Sequence, residues 1–357
     1  MRVLPRYLRR EIVAATLLVL VAFLALFLFF DFLGELDDVG RNGYTLKYAA
    51  IFVLLSIPSR AYEVMPIAVL IGTLYALTTL ARNSELTVMR TSGVSIMRLL
   101  TSLMGIGLIF VVTTFVLGEV VAPPLERVAQ KWRLRGTTTT VPQELRSGLW
   151  VRDGRLFVNV QRAQPDAGLE GVKLYEFDNE HRLLSISLAA KGEYSAGTGW
   201  TLEDVVQTRF EGDRISVHKM PRLQWESELT PEMISVVMIT PERMAIRSLH
   251  NYVRHLQENN QRTGRYAVAY WKKIVYPFAS LVMMGLALPF ALGNQRSGNV
   301  GARVLLGVML GMLFHLLNSL FSNLGVINSW PPFVSAAAPS LMFLALAVGL
   351  LHSVERR

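Results

Sequence analysis

Six long apolar stretches constrain this chain more than any other feature of its sequence. The first, residues 12–30, contains one polar side chain, Thr16. As a helix it would be roughly 28 Å long at about 1.5 Å per residue, which matches the hydrocarbon core of a bilayer. Five similar stretches follow, at about 64–81, 99–117, 274–292, 304–321 and 333–351. The sequence therefore predicts a membrane protein with six spans, grouped three and three.

Basic residues predict the orientation of these spans, because cytoplasmic connections carry an excess of lysine and arginine. The short connections on one side hold only Arg41, Lys47 and Arg60. The termini and connections on the other side hold eleven arginines: Arg2, Arg6, Arg9, Arg10, Arg82, Arg90, Arg98, Arg296, Arg303, Arg356 and Arg357. Both termini are therefore predicted to be cytoplasmic, and the long segment between the third and fourth spans to lie outside.

The apolar segment 46–57 is too short to cross a bilayer alone. It ends at Pro58, and a seventh span here would invert the arginine distribution. We expect either an interfacial helix or an outer extension of the second span, kinked at its prolines.

The long segment between the third and fourth spans differs in kind from the rest. Pro123 and Pro124 are predicted to end the third span. From about residue 148, apolar and polar residues alternate in short runs such as LWVRDGRLFVNVQ, which is typical of antiparallel strands. Eight to ten strands at this spacing predict a sandwich or jelly roll. Turn residues separate the runs, at Asp153-Gly154 and Asp178-Asn179.

After Pro241 the apolar residues recur at helical spacing, and this helix returns the chain to the membrane at Trp271. Lys272 and Lys273 follow on the predicted outer side, against the charge rule, which long translocated domains obey weakly. The predicted fold is an α+β membrane protein with three units. Residues 1–121 contain three transmembrane helices and a cytoplasmic helix at about 83–92, residues 122–265 form a β jelly roll with flanking helical segments, and residues 266–357 contain three more transmembrane helices.

The sequence lacks the usual signatures of an enzyme or a pump. It has no cysteine, no HExxH or GxSxG motif, and no P-loop, since none of its seven lysines precedes Ser or Thr. Asp31, Glu35, Glu63 and Glu119 are predicted near the outer ends of spans, and only His315 approaches the middle of one. No catalytic residue, metal site or bound cofactor is therefore predicted, and ion-coupled transport is disfavoured.

The segment ARNSELTVMRTSGVS, residues 81–95, is more elaborate than a simple connection requires. Asn83 or Ser84 can cap a helix and Gly93 can end it, leaving about ten residues. Leu86 and Met89 form an apolar knob ringed by Glu85 and Arg90, which suits a short helix inserted into a protein groove. Because the chain has no motor of its own, this helix is predicted to dock a separate cytoplasmic ATPase.

These features together resemble the permease subunits of the lipopolysaccharide exporter, the LptF/LptG family. The resemblance rests on three spans, an external β domain, three more spans, and RNSELTVMRTSGVS after the second span. The stretches SGLWVRDGRLFVNVQR and LHNYVRHLQENNQRTGRY are most similar to the LptG branch.

The resemblance implies several partners. A homologous LptF-like permease would complete a heterodimer in the inner membrane of a Gram-negative bacterium, over a dimeric, LptB-like ABC ATPase that uses ATP and Mg²⁺. LptC-like and LptA-like bridge proteins would receive the lipid in the periplasm, and no nucleic acid is involved. Glu85 would meet a basic residue in the ATPase groove, flanked by Leu86, Met89 and Arg90.

The implied substrate is lipopolysaccharide, whose phosphates require cations near the outer ends of the spans. Arg133 and Arg60 are the first candidates, followed by Lys131, Arg127 and Arg135. The family commonly has a basic residue near the outer end of the first span, where this chain has Asp31 and Glu35. Either the phosphate contact moves to another residue, or divalent ions bridge these carboxylates to the phosphates.

Two other functions fit the sequence. A membrane-anchored periplasmic lipid-binding chaperone or scaffold would have no stable cytoplasmic partner. An ion-coupled lipid flippase would work without ATP and stop when the ion gradient collapses.

Overall fold

The structure is a computed structural model. It describes residues 3–40, 43–136, 148–163, 168–178, 180, 182–195, 199–211, 214–225, 227, 240–259, 261–292 and 300–356.

The described residues form ten α-helices and six β-strands. The helices are α1 Val3–Leu36, α2 Leu46–Leu55, α3 Ile57–Arg82, α4 Glu85–Thr91, α5 Ile96–Val116, α6 Ala122–Gly136, α7 Ile246–Glu258, α8 Gly264–Leu292, α9 Val300–Ile327 and α10 Pro332–Glu355. The strands are β1 Leu149–Asp153, β2 Leu156–Ala163, β3 Gly168–Phe177, β4 Leu183–Ser195, β5 Gly199–Glu211 and β6 Arg214–Trp225.

Six of these helical segments are long and apolar enough to span a bilayer, which confirms the predicted number of spans: Pro5–Leu36, Ile57–Arg82, Ile96–Gln130, Gly264–Leu292, Val300–Ile327 and Pro332–Val354. We call them the membrane bundle. The end of the bundle nearest the β-strands is its sheet end, and the opposite end is its far end. The ten-residue helix α2 is separate from α3 and packs against α1 and α6 through Phe52 and Val53.

The third span corrects one expectation. Pro123 and Pro124 do not end it, because the helix runs on to Gln130. A π-helical segment, Leu117–Val121, directly precedes α6 and shifts the hydrogen-bonding register. The two prolines then lie in the first turn of α6, where a proline costs the helix little.

The inserted β domain is confirmed as an antiparallel sheet with strand order β1-β2-β3-β4-β5-β6. The described strands are six, against the eight to ten expected, and their order is that of a meander. Gly154 supplies the positive φ at the β1–β2 turn. Trp200 and Trp225 are directly paired across β5 and β6 and buried in the core of the sheet.

Helices α3 and α8 form the centre of the bundle. Their most apolar 18-residue windows are 78% and 61% buried, against 22% in α1 and α9. Small residues allow the closest helix contacts: a Cβ on Gly72 would lie 2.5 Å from the Cα of Thr16 in α1. Gly307 and Gly311 of α9 face Leu74 and Ile67 of α3. The GxxxG pair of the fifth span therefore packs within the chain.

We expect Gly72→Ala to lower the thermal unfolding midpoint of the purified protein. The new methyl group would meet the backbone of Thr16, which has no side-chain rotation to relieve the clash, and overpacking of this kind costs about 1–3 kcal/mol or more. Gly105→Ala is the matched control, since nothing lies within 4 Å of a Cβ there. Equal midpoints for the two variants would contradict the close approach of α1 and α3.

Candidate functional site

The far end of the bundle carries the short helix α4, which follows α3 in the predicted place. It has seven residues, Glu85–Thr91, fewer than the ten expected, and it begins only after Ser84. Ser84 has a positive φ of 62° and makes no side-chain capping bond. The end of α4 agrees with the prediction: Gly93 is left-handed, its N–H donates to the carbonyl of Arg90, and the Val94 N–H donates to that of Met89.

The burial of α4 corrects the predicted docking knob. Leu86 is 0% exposed and packs in the core of its own chain with Leu8 and Ile12 of α1. Met89 is partly buried against the same cluster. Leu86 and Met89 therefore anchor α4 to the bundle instead of projecting from it. The exposed face carries Val88, whose exposure is 61%, with Thr87, Arg90 and Thr91.

Glu85 links α4 to the first span. The hydroxyl of Tyr7 in α1 donates a 2.9 Å hydrogen bond to its Oε2. The carboxylate at the start of α4 therefore has a partner within the chain, and it ties the far end of α1 to this helix.

At the sheet end, Arg60 is bound by two carboxylates. Its Nε and Nη2 donate to the two oxygens of Asp31, each at 2.7 Å, and its Nη1 donates to Glu63 at 3.0 Å. The guanidinium also lies over the ring of Phe27, 5.8 Å from its centroid. A bidentate pair of this geometry is a strong charge-assisted contact. The group carries a formal charge of −1, so Arg60 is not an open phosphate site in this arrangement.

Arg133 has a similar environment on α6. Its Nη2 lies 3.3 Å from Glu35 and 3.3 Å from Asp38. Tyr44 donates a 2.8 Å hydrogen bond to the other oxygen of Glu35, and burial beside this carboxylate raises the pKa of the Tyr44 hydroxyl. Asp31 and Glu35 thus hold the two arginines predicted to bind phosphate.

The structure describes the other three predicted phosphate-binding cations in less detail. Among the described residues Arg127 has no carboxylate partner, and its Nε lies 3.5 Å from the carbonyl of Pro123. The backbones of Lys131 and Arg135 lie in α6, and their side chains fall outside the described part of the structure.

Two carboxylates of the third span attach the chain that returns from the β domain. Both oxygens of Glu119 accept the N–H of Ile246, at 3.0 and 2.8 Å, and so cap the start of α7. Glu126 is 0% exposed and accepts hydrogen bonds from Arg243 at 2.7 Å, Ser59 at 3.1 Å and Gln130 at 3.2 Å. The return connection is therefore fixed to the sheet end by buried polar contacts.

Sequence reasoning missed the pairing of Glu126 with Arg243 and the anchoring of Lys273. These contacts join residues 117 and 155 positions apart, with the Lys273 Nζ 2.7 Å from the carbonyl of Gly118. Contacts between residues so far apart in the sequence cannot be predicted from the spacing of nearby residues. One signal was present: Lys272 and Lys273 violate the charge rule, and a basic pair in that position is a reason to look for partners.

The fold and the charged sheet end define a multi-pass membrane protein of the permease type with a β domain inserted between two sets of three spans. The model of the family "Lipopolysaccharide export system permease LptF/LptG" matches residues 6–353. The chain belongs to this family.

Curated relatives agree with this assignment. The chain is 32% identical over 351 residues to the lipopolysaccharide export system permease protein LptG of Escherichia coli strain K12, covering 98% of each chain. It is also 32% identical over 349 residues to the LptG protein of Haemophilus influenzae strain ATCC 51907, again covering 98% of each. The similarity to the LptG branch, expected from two stretches, extends along nearly the whole chain.

We expect Arg243→Ala to destabilise the protein strongly, because it leaves the buried Glu126 carboxylate without its cation. Breaking a buried pair in this way costs about 3–5 kcal/mol. Arg254→Ala is the matched control: its 3.5 Å pair with Glu258 is largely exposed, and such pairs contribute about 0–1 kcal/mol. Thermal unfolding in detergent measures both.

A second variant separates charge from packing. Glu126→Gln in the Arg243→Ala background removes the uncompensated charge and should recover much of the lost stability. If the double variant is no more stable than Arg243→Ala, the ion pair is not the source of the effect.

Proposed function

We propose that this chain is one half of the membrane channel of an ABC exporter, which takes lipopolysaccharide from the outer leaflet of the inner membrane and passes it toward a periplasmic bridge. The observation that carries the proposal is the family match across residues 6–353, which includes every span and the β domain. The relatives are named as lipopolysaccharide export permeases. The arginine distribution supports cytoplasmic termini and a periplasmic β domain.

The energy comes from a separate dimeric ATPase that binds ATP and Mg²⁺ and docks on α4. The sequence contains no P-loop, which supports ATP hydrolysis by a separate subunit. The docking face is the exposed side of α4, centred on Val88 and flanked by Arg90, with Leu86 as the buried anchor beneath it. Glu85 contributes by holding α1, and its bond to Tyr7 leaves its other oxygen available to a basic residue of the ATPase.

Helix α1 transmits movement from the docking helix to the substrate end. It has 34 residues, or about 51 Å at 1.5 Å per residue. Its far end is bonded to α4 through Tyr7, and its sheet end presents Asp31 to Arg60 and Glu35 to Arg133. A displacement of α4 that shifts α1 by a few ångströms would draw both carboxylates off their arginines.

The two arginines then bind the phosphates of the lipid. A guanidinium offers phosphate the same bidentate geometry that it offers a carboxylate. Arg60 and Arg133 are thus shared between an internal carboxylate and a substrate phosphate, and Arg127, Lys131 and Arg135 add positive charge along α6. When α1 returns, Asp31 and Glu35 displace the phosphates and the lipid moves on.

A homologous, LptF-like permease closes the channel. Helices α1 and α9 bury little of their surface within the chain, which leaves apolar faces for a partner helix and for acyl chains. In the described sheet, β1 and β6 are the edge strands, and they offer backbone groups for pairing with LptC-like or LptA-like bridge proteins.

The ATPase contact is tested by copurification. We expect Val88→Asp to abolish recovery of a nucleotide-binding subunit with the tagged permease, because it places a charge at the centre of the docking face. Glu85→Lys should weaken recovery and export, whereas Tyr7→Phe, which removes only the hydrogen bond to Glu85, should retain the ATPase. Normal recovery with both Val88→Asp and Glu85→Lys would refute docking at α4. A wild-type chain that never copurifies an ATPase would favour the chaperone or scaffold function instead.

The role of the carboxylates is tested by Asp31→Asn. Freeing Arg60 from its bidentate partner should increase lipopolysaccharide binding by the purified complex about tenfold or more, as expected for one charge-assisted bond, and slow its release during ATP turnover. Glu63→Gln is the control, since it removes the single 3.0 Å contact and leaves the bidentate one. Unchanged or weaker binding in Asp31→Asn would contradict the exchange mechanism.

A further inference from the structure

The π-helical segment Leu117–Val121 interrupts the third span, a continuous helical stretch of 35 residues. In this segment the N–H of Ala122 donates to the carbonyl of Leu117, five residues back, and not to that of Gly118, four residues back. The next residue, Pro123, has no N–H to donate. The two residues that could bond the Gly118 carbonyl in an α or a π register therefore do not, although Gly118 is buried.

A side chain of the fourth span supplies the missing donor. The Nζ of Lys273 in α8 donates a 2.7 Å hydrogen bond to the Gly118 carbonyl. Lys273 is 6% exposed, its ammonium lies 5.9 Å from the centroid of the Tyr62 ring, and the carboxylate of Glu119 favours its charge. In a bilayer, a carbonyl freed by a proline has to be satisfied by a neighbouring element. Lys273 does this across the bundle.

The glycine at position 118 makes this contact possible. A Cβ there would lie 2.5 Å from the Cδ2 and Cε2 atoms of Tyr62 in α3. Because no side chain intervenes, the Tyr62 ring packs on the backbone of Gly118 while Lys273 reaches its carbonyl. The second, third and fourth spans thus meet at one residue, and its carbonyl depends on a single side-chain donor.

The segment lies where the chain leaves the bundle for the β domain. Helix α5, before it, packs in the bundle core through Leu103, Ile106 and Phe110, and α6, after it, leads toward β1. Glu119, within the segment, caps α7, the helix that returns from the β domain, at Ile246. Helices bend most readily at prolines and π-bulges, so a bend here moves α6 relative to α5.

The surroundings of the segment leave space for such a bend. A cavity of about 240 Å³ is lined by Gly118 and Ala122 of this stretch, with Tyr62 and Lys273 opposite them. A close-packed interior resists movement, whereas a cavity of this size lets a side chain change its place without displacing its neighbours. In the α register the Ala122 N–H would bond the Gly118 carbonyl itself, and the lysine would not be needed.

We propose that Leu117–Val121 is a hinge between the membrane bundle and the β domain, and that Lys273 is the positioning residue that locks it. With Lys273 on the Gly118 carbonyl, the segment keeps the π register and α6 is held in place. When the lysine leaves, Ala122 donates to Gly118, and α6 moves together with the entry to the β domain. The lock acts whether or not the chain exports lipopolysaccharide.

Spin-label distances in the detergent-purified protein test the lock. Because the chain has no cysteine, Leu108→Cys in α5 and Lys219→Cys in β6 place two labels at exposed positions on either side of the hinge. Double electron–electron resonance should give one narrow distance distribution with Lys273 present. Lys273→Met should add a second, shifted distance. Lys273→Arg retains a donor and should keep the single distance.

Pro123→Ala is the decisive variant, because it restores a backbone N–H five residues after Gly118, where it can bond that carbonyl in the π register. Lys273→Met combined with Pro123→Ala should recover the single distance. The matched control is Lys273→Met with Pro124→Ala, which should not recover it, since residue 124 lies one position too far along the helix.

A single distance in Lys273→Met would overturn the lock. Equal effects of the two alanines would also overturn it, and recovery by neither would assign the role of Lys273 to the charge of Glu119. If Lys273→Met does not fold alone, thermal unfolding midpoints of the two double variants, each relative to its single proline variant, decide the question. A smaller loss with Pro123→Ala supports the lock, and equal losses refute it.

Discussion

The pairing of three arginines with carboxylates at the sheet end is the interaction on which the rest of this structure depends. A charge near the apolar layer is expensive unless it has a partner. Here the partners come from different elements: Asp31 of α1 meets Arg60 of α3, Glu35 of α1 meets Arg133 of α6, and Glu126 of α6 meets Arg243 before α7. Each pair therefore sets the position of one helix end relative to another.

Helix α1 is the element most dependent on these contacts. Only 22% of its most apolar stretch is buried, so its apolar packing is confined to one side. It is fixed at the far end by Tyr7 on Glu85, in the middle by the close approach of Thr16 to Gly72, and at the sheet end by Asp31 and Glu35. Helix α1 packs on the bundle along one side only, through Leu8, Ile12 and Leu20, whereas α3 is packed on all sides.

The sequence predicts the bundle well and the pairings poorly, for a physical reason. A membrane span can be predicted locally, because a run of about eighteen or more apolar residues is enough to identify it. The end of α4 is also a local feature, since Gly93 adopts the left-handed conformation easily. The orientation of α4 could not be predicted from its sequence, because its seven residues carry apolar side chains on two sides. The neighbouring helices decide which side is buried, and they bury Leu86 and leave Val88 exposed. Asp31 and Arg60 were both noted as charges near outer span ends, but their pairing depends on how α1 crosses α3. Likewise, the alternation of apolar and polar residues predicts strands but does not determine how many of them form.

The pairing of Arg60 and Arg133 with carboxylates suits a site that must bind a passing lipid and release it again. An unpaired arginine would bind a lipid phosphate tightly and release it slowly, which suits storage. In the exchange we propose, an arginine already held by Asp31 or Glu35 would trade one anion for another, so the net free energy of binding would be small and the lipid could pass. Transit through the exporter therefore favours arginines that are already paired with a carboxylate.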